Sequence, residues 1–233
     1  TRDRIRAVMA YAEAANAQHT PASAEARHWF RRARTKLSAF LRNPSWTLRR
    51  AGDGDDAFAL TARAIAYHRL ADKTRALAEV ERLVSRHPKD AYYAELKAQI
   101  LLESREPARA AAAYRRAVAL APDEPLIRAG LGRALLALGT ARANQEALSV
   151  LSRAAAQDHA DPSLLRDLSV AYSRAGQNAM ASLATAERYA LLGKPRDALL
   201  HAKRARDGLP EGSGAWRRAD DLARMLERRL SDR

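Results

Sequence analysis

The side chains best suited to metal binding or proton transfer are six histidines: His19, His28, His68, His87, His159 and His201. No two lie four residues apart. A helix-borne zinc site with an adjacent glutamate base needs that spacing, so that both imidazoles reach one ion. Cysteine is absent, which removes thiolate ligands and any disulfide framework. Gly193-Lys194 has no glycine-rich phosphate cradle before it, and Gly212-Ser213-Gly214 lacks the spacing of a nucleophile elbow. No cofactor is expected in this chain, and catalysis by it alone is the least favoured function.

The 233 residues carry a net charge of +14, a balance that raises nucleic acid as a partner. Yet Asp and Glu are interspersed with the basic residues along the whole length and no basic tail is present. An arginine-rich solvated surface fits that distribution better than a patch concentrated on one face. RNA binding therefore ranks below protein binding. No apolar run approaches the roughly 20 residues needed to span a bilayer. The chain starts at Thr1 without a methionine, and we expect it to be a mature or excised piece of a longer protein.

With no local chemistry in view, the elements become the question. Ala76 and Ala110 are 34 residues apart, as are Pro88 and Pro122, and as are Ala147 and Ala181. Between them run apolar positions at helical spacing, with no alternating strand pattern. DAFALTARAIAYHRL, DAYYAELKAQILLES, EPLIRAGLGRALLALG and DPSLLRDLSVAYSRAG read as four first helices, each followed by a second helix bearing the matched alanine. Alanine is the best helix former and the smallest side chain that a helix crossing can use as a spacer.

This pattern resembles the tetratricopeptide repeat (TPR), a helix–turn–helix unit of 34 residues. Small and large residues of the first helix pair as Ala64 with Tyr67, Ala98 with Leu101, Gly132 with Leu135, and Ser169 with Tyr172. The third unit departs from the pattern: it is longer, and His159 stands where proline is expected. The implied fold is all-α, a right-handed α-α solenoid. Tyr172, Gly176 and Ala181 recur half a period later as Tyr189, Gly193 and Ala198. One helix from about 178 to 192 thus serves as the second helix of one unit and the first of the next. Repeats are expected at about 57–90, 91–124, 125–161, 162–193 and, overlapping, 178–210, giving an array over 53–210. Residues 211–233 would cap it.

Residues 1–52 are read as helices packing on the first repeat. RDRIRAVMAYAEAANA forms one of them. In the next, Ala26, Phe30, Ala33, Leu37 and Leu41 make an apolar stripe beside a basic one of Arg27, Arg31, Arg34 and Arg42. Trp29 and Trp46 are expected in the core, as are Tyr67, Tyr172 and Tyr189. Asp55 or Asp56 would cap the first repeat helix.

Function in repeat arrays lies on the concave surface. First-helix positions not used in packing select Thr61, His68, Arg69, Tyr92, Glu95, Gln99, Arg133, Arg166, Ser173 and Arg174 as a groove for an extended peptide or protein segment. Its arginines would grip carboxylates. The carboxylate clamp of chaperone-tail-binding repeats is not among them: its positions hold Thr61, Ile65, Leu96, Leu126 and Gly130.

A narrower resemblance rests on Ala186, Glu187, Tyr189 and Gly193, then Ala198, Ala202, Lys203, Arg204 and Ala205, then Trp216. The segment containing them is similar to the C-terminal end of BepA-like periplasmic zinc metalloproteases, and TRDRIRAV to the exit of their peptidase domain. The resemblance implies a non-catalytic C-terminal half in the periplasm, with zinc held only in a peptidase domain upstream. Its partners would be that domain and outer-membrane protein assembly machinery or clients. A free-standing scaffold for an acidic or extended peptide is the alternative.

Overall fold

The computed structural model describes residues 23–158 and 160–231. These form twelve α-helices and no strand. In chain order they are α1 (Ala24–Leu41), α2 (Pro44–Ala51), α3 (Ala57–Arg69), α4 (Lys73–Arg86), α5 (Ala91–Glu103), α6 (Pro107–Leu120), α7 (Pro125–Leu138), α8 (Ala141–Gln157), α9 (Pro162–Arg174), α10 (Asn178–Leu191), α11 (Pro195–Gly208) and α12 (Gly214–Ser231). The expected helix over 2–17 and His159 lie outside the described residues.

Local chemistry accounts for the starts and stops. Asp56, Asp90 and Asp161 each accept backbone N–H groups in the first turn of α3, α5 and α9, satisfying donors that have no intrahelical partner. Of the two candidate caps, Asp56 takes the role, while Asp55 pairs with Arg82. Proline opens α6, α7, α9 and α11, where its missing N–H costs nothing. Left-handed residues stop the first helices: Ala71, Arg105, Gly139, Gly176 and Gly193 all have φ between 59° and 73°. Their spacing is 34, 34, 37 and 17, so the long third unit and the half-step after Gly176 are written into the turns.

The chain divides into two compact units, 1–83 and 84–233, with the division inside α4. In the first, α1 and α2 pack on each other and on α3. Arg63 of α3 is buried, donating to the Gly52 and Gly54 carbonyls and to Glu79 of α4, all within 2.8 Å.

The apolar stripe of α1 is a correction. Ala26, Phe30, Ala33, Leu37 and Leu41 are all exposed, Phe30 to 55% and Leu41 to 61%. The opposite side faces α3 instead: Ala39 is buried, His28 meets the Phe58 ring edge-on, and the Arg31 guanidinium lies 3.9 Å above that ring. A cation over an aromatic face replaces aliphatic packing there. Trp29 and Trp46 are likewise exposed rather than core, with Arg32 and Arg42 over their rings.

In the second unit each helix from α5 to α11 packs on its successor. The skipping contacts α5 with α7, α7 with α9, and α10 with α12 mark a stack of helical hairpins. Alanines occupy the crossings as expected: Ala110, Ala147 and Ala198 are fully buried, as is Ala76 in the first unit. Where α10, α11 and α12 meet, the touching residues are Ala186, Ala202 and Ala223 in one layer, and Leu183, Ala205 and Ala219 in another. Ala181 is only half-buried. So are Tyr67, Tyr172 and Tyr189, against expectation. Tyr67 and Tyr189 turn their rings toward cations instead: Arg75 for the first, Arg188 and Lys194 for the second. Among the described residues the core tyrosines are Tyr93 and Tyr114.

Candidate functional site

The ten candidate residues fall into both units. In the first, Thr61 does not reach the surface: it is buried, and its hydroxyl donates to the Ala57 carbonyl at 2.6 Å. His68 is half-buried. Arg69 is exposed, but its guanidinium donates to the carbonyls of Ala39 and Arg42 and so ties α3 to the end of α1. Of the three, only Arg69 is exposed, and its head group is spent locally.

In the second unit the first helices of successive hairpins bring polar residues together. Tyr92 on α5 is exposed, and its hydroxyl donates to Glu124 at 3.2 Å. Gln99 donates to Glu103 at 2.9 Å, and Glu95 is half-buried. Arg133 on α7 donates through Nε to Asp167 Oδ2 at 2.7 Å. Arg166 on α9 donates through Nε and Nη2 to Oδ1 of the same carboxylate, at 3.1 and 2.9 Å. The Asp167 side chain is only 7% exposed, whereas those of Arg133 and Arg166 are 41% and 52% exposed. One buried carboxylate therefore orients two guanidiniums whose outer edges face solvent. Two positive charges share one negative charge, and the excess faces outward.

Asp167 was missing from the sequence reading, although a signal existed. It sits between Leu164 and Ala171, on the buried side of α9, where a lone carboxylate requires a partner. Beneath this cluster lies Tyr114. Burial pushes its phenol pKa upward, the Glu95 charge adds to the shift and Arg133 opposes it, so the ring stays neutral.

Ser173 and Arg174 lie further along α9. Arg174 donates to the Leu136 carbonyl at 2.7 Å. Both line an open cavity of about 540 Å3 with Asn178, Ser182, Thr185 and His201. The Nδ1 of His201 is buried with no hydrogen-bond partner among the described residues. Desolvation, with a smaller push from Arg204 against the pull of Asp197, lowers its pKa. Among the described residues no three His, Asp or Glu side chains cluster as a metal site requires. No described helix is long and apolar enough to cross a membrane.

Stacked hairpins with small residues at the crossings and polar first-helix faces define an α-helical repeat scaffold. Residues 61–125 and 95–164 match the model of the tetratricopeptide repeat family, in keeping with that scaffold. No curated protein matches it. Among solved structures, the chain is similar to MamA of strain AMB-1 (18% identity, 70% of this chain and 98% of that one, TM-score 0.58). It is similar also to a fragment of MamA from Desulfovibrio magneticus RS-1 (18%, 72% and 94%, TM-score 0.56). A third is YrrB, a TPR protein described as having an unusual peptide-binding site (19%, 75% and 89%, TM-score 0.54). At these identities the likeness is one of fold.

Proposed function

We infer that the chain is a non-catalytic protein-interaction module that holds an extended, acidic polypeptide segment. The segment would lie along the first-helix face of the second unit. The observation that carries this reading is the shared grip of Arg133 and Arg166 on buried Asp167. Guanidiniums locked by a carboxylate keep part of their donor fork available and lose little rotamer freedom on binding, which favours paired hydrogen bonds to an incoming carboxylate. Tyr92 and Arg174 extend the face along α5 and α9, and Ser173 and Gln99 add polar contacts. A peptide-binding site on YrrB, a neighbour in fold, is in keeping with this use.

The finer reading is that the module is the C-terminal half of a periplasmic zinc metalloprotease acting in outer-membrane protein quality control. It is supported by the match of Ala186, Glu187, Tyr189 and Gly193, and of Ala198 through Trp216, to that family's closing helices. Its peptidase domain would hold the zinc, and the repeat domain would position clients. The coding sequence upstream of Thr1 tests this directly. A His-Glu-x-x-His helix encoded there supports the protease; any other domain leaves the free-standing scaffold. Charge reversal at Arg133 and Arg166 tests the peptide face itself. Capture of an acidic peptide is expected to weaken with helicity unchanged, and unchanged capture removes the proposal.

A further inference from the structure

The first unit contains a second collection of arginines that the repeat face does not explain. Between α1, α2 and the start of α3 lies an open cavity of about 360 Å3, large enough for a few side chains of a bound segment. Arg31, Arg34 and Arg50 all line it, and Asp56 is the single carboxylate among its lining residues. Asp56 is already engaged as the cap of α3, its Oδ1 accepting the N–H groups of Phe58 and Ala59 at 2.8 and 3.2 Å. Arg31 is held by stacking on Phe58. Arg34 and Arg50 make no ion pair or hydrogen bond among the described residues, and both are exposed.

Three guanidiniums in one concavity, facing one committed carboxylate, raise the local potential and favour an anion there. The rest of the lining limits what kind. Trp46, Ala59 and Ala62 supply apolar surface, and Trp46 is 39% exposed. A bare oxyanion would leave that surface wet. A segment bearing carboxylates next to an aliphatic side chain would use both parts of the cavity.

We propose that this cavity docks an acidic-aliphatic peptide segment, its carboxylates held by Arg31, Arg34 and Arg50 and its apolar side chain seated against Trp46, Ala59 and Ala62. The site rests on the reading of the chain as a peptide-binding scaffold, but it is separate from the Arg133–Asp167–Arg166 face.

The test uses the full chain and a fluorescein-labelled peptide of alternating Glu and Leu, followed by anisotropy at about 0.15 M salt, where surface charge is screened beyond about 8 Å. Wild type is expected to bind this probe and to discriminate against a Gln–Leu peptide of equal length. R34Q/R50Q is expected to bind it roughly tenfold more weakly, the loss of two charge-assisted contacts, and the same drop is expected in an R133Q/R166Q background, where the second-unit face is already weakened. If R34Q/R50Q alters helicity by circular dichroism, R34K/R50K is used instead. It keeps both charges but removes the planar forks, and is expected to weaken binding in the same direction. Unchanged affinity in the Arg34 and Arg50 variants overturns the proposal, as does failure of wild type to bind the probe. Equal binding of the Gln–Leu peptide, or displacement of the probe by inorganic phosphate or single-stranded RNA at lower concentration than by unlabelled peptide, overturns it too. A loss confined to R133Q/R166Q overturns this site while leaving the second-unit face standing.

Discussion

The ring of Tyr114 occupies the space that a Cβ at Gly130 would need: the two would lie 2.3 Å apart at Cε1 of the ring. α6 and α7 therefore approach so closely that only a hydrogen fits between their backbone and the phenol. Gly132 stands in the same relation to Leu151 of α8, with 2.4 Å to Cγ. Gly130→Ala forces a rigid, buried ring to move and is expected to destabilise the chain by about 1–3 kcal/mol, read as a lower urea midpoint. Ala110→Leu at the neighbouring crossing is expected to act in the same direction.

Two turns contain the opposite opportunity. Ala71 and Arg105 hold φ of 59° and 62°, where the equivalent later turns use Gly139, Gly176 and Gly193. A side chain in this region costs about 1–2 kcal/mol, part of which the greater chain entropy of glycine offsets. Ala71→Gly and Arg105→Gly are each expected to stabilise by about 0.5–1 kcal/mol, measured as a raised Tm. A lowered Tm in both would contradict the left-handed turn.

Buried Arg63 holds three acceptors at once, the carbonyls of Gly52 and Gly54 and the carboxylate of Glu79. Arg63→Ala leaves Glu79, whose side chain is 15% exposed, with only its longer 3.5 Å pair to Arg82, and two carbonyls without a donor. A loss of about 3 kcal/mol is expected. Glu79→Gln, which keeps an acceptor, is expected to lose less. Chemical denaturation of both variants orders the two effects.

His201 gives a pH signature. Its folded pKa lies below the ordinary 6.5, so on acidification the unfolded chain takes up the proton first. The stabilisation is fully present above that ordinary value and is lost as pH falls from it through the folded pKa. Stability is therefore expected to drop as pH falls below about 6.5, ahead of the carboxylate range. His201→Gln is expected to flatten that part of the profile. An identical slope in the variant would remove the histidine from the account.

What the sequence disclosed, and what it hid, follows from the range of each interaction. The four first helices and their starts were legible because an Asp or Pro cap and a 3.6-residue pattern are local signals. The half-step repeat was legible because Gly176 and Gly193 punctuate it. Trp29 and the Phe30–Leu37–Leu41 stripe were misplaced because α1 has two faces able to pack. Its choice of the Arg31 side depends on Phe58, far along the chain. The Arg133–Asp167–Arg166 cluster was half visible: both arginines could be selected from helix position. Their common anchor showed only as a lone carboxylate on the buried side of α9, and its pairing with Arg133 could not be read, since a register between α7 and α9 has no short-range mark. Thr61 failed for a simpler reason, as a hydroxyl able to bond the carbonyl four residues back can sit inside a helix face.

Because α10 packs on both α9 and α11 and also reaches α12, the C-terminal end has no seam between finished pairs. Its smallest removable piece is one rod, not a hairpin, so length there can be gained or lost in odd as well as even numbers. Fraying from Ser231 inward would accordingly proceed rung by rung, each departure uncovering a fresh alanine-lined ledge that resembles the one before it.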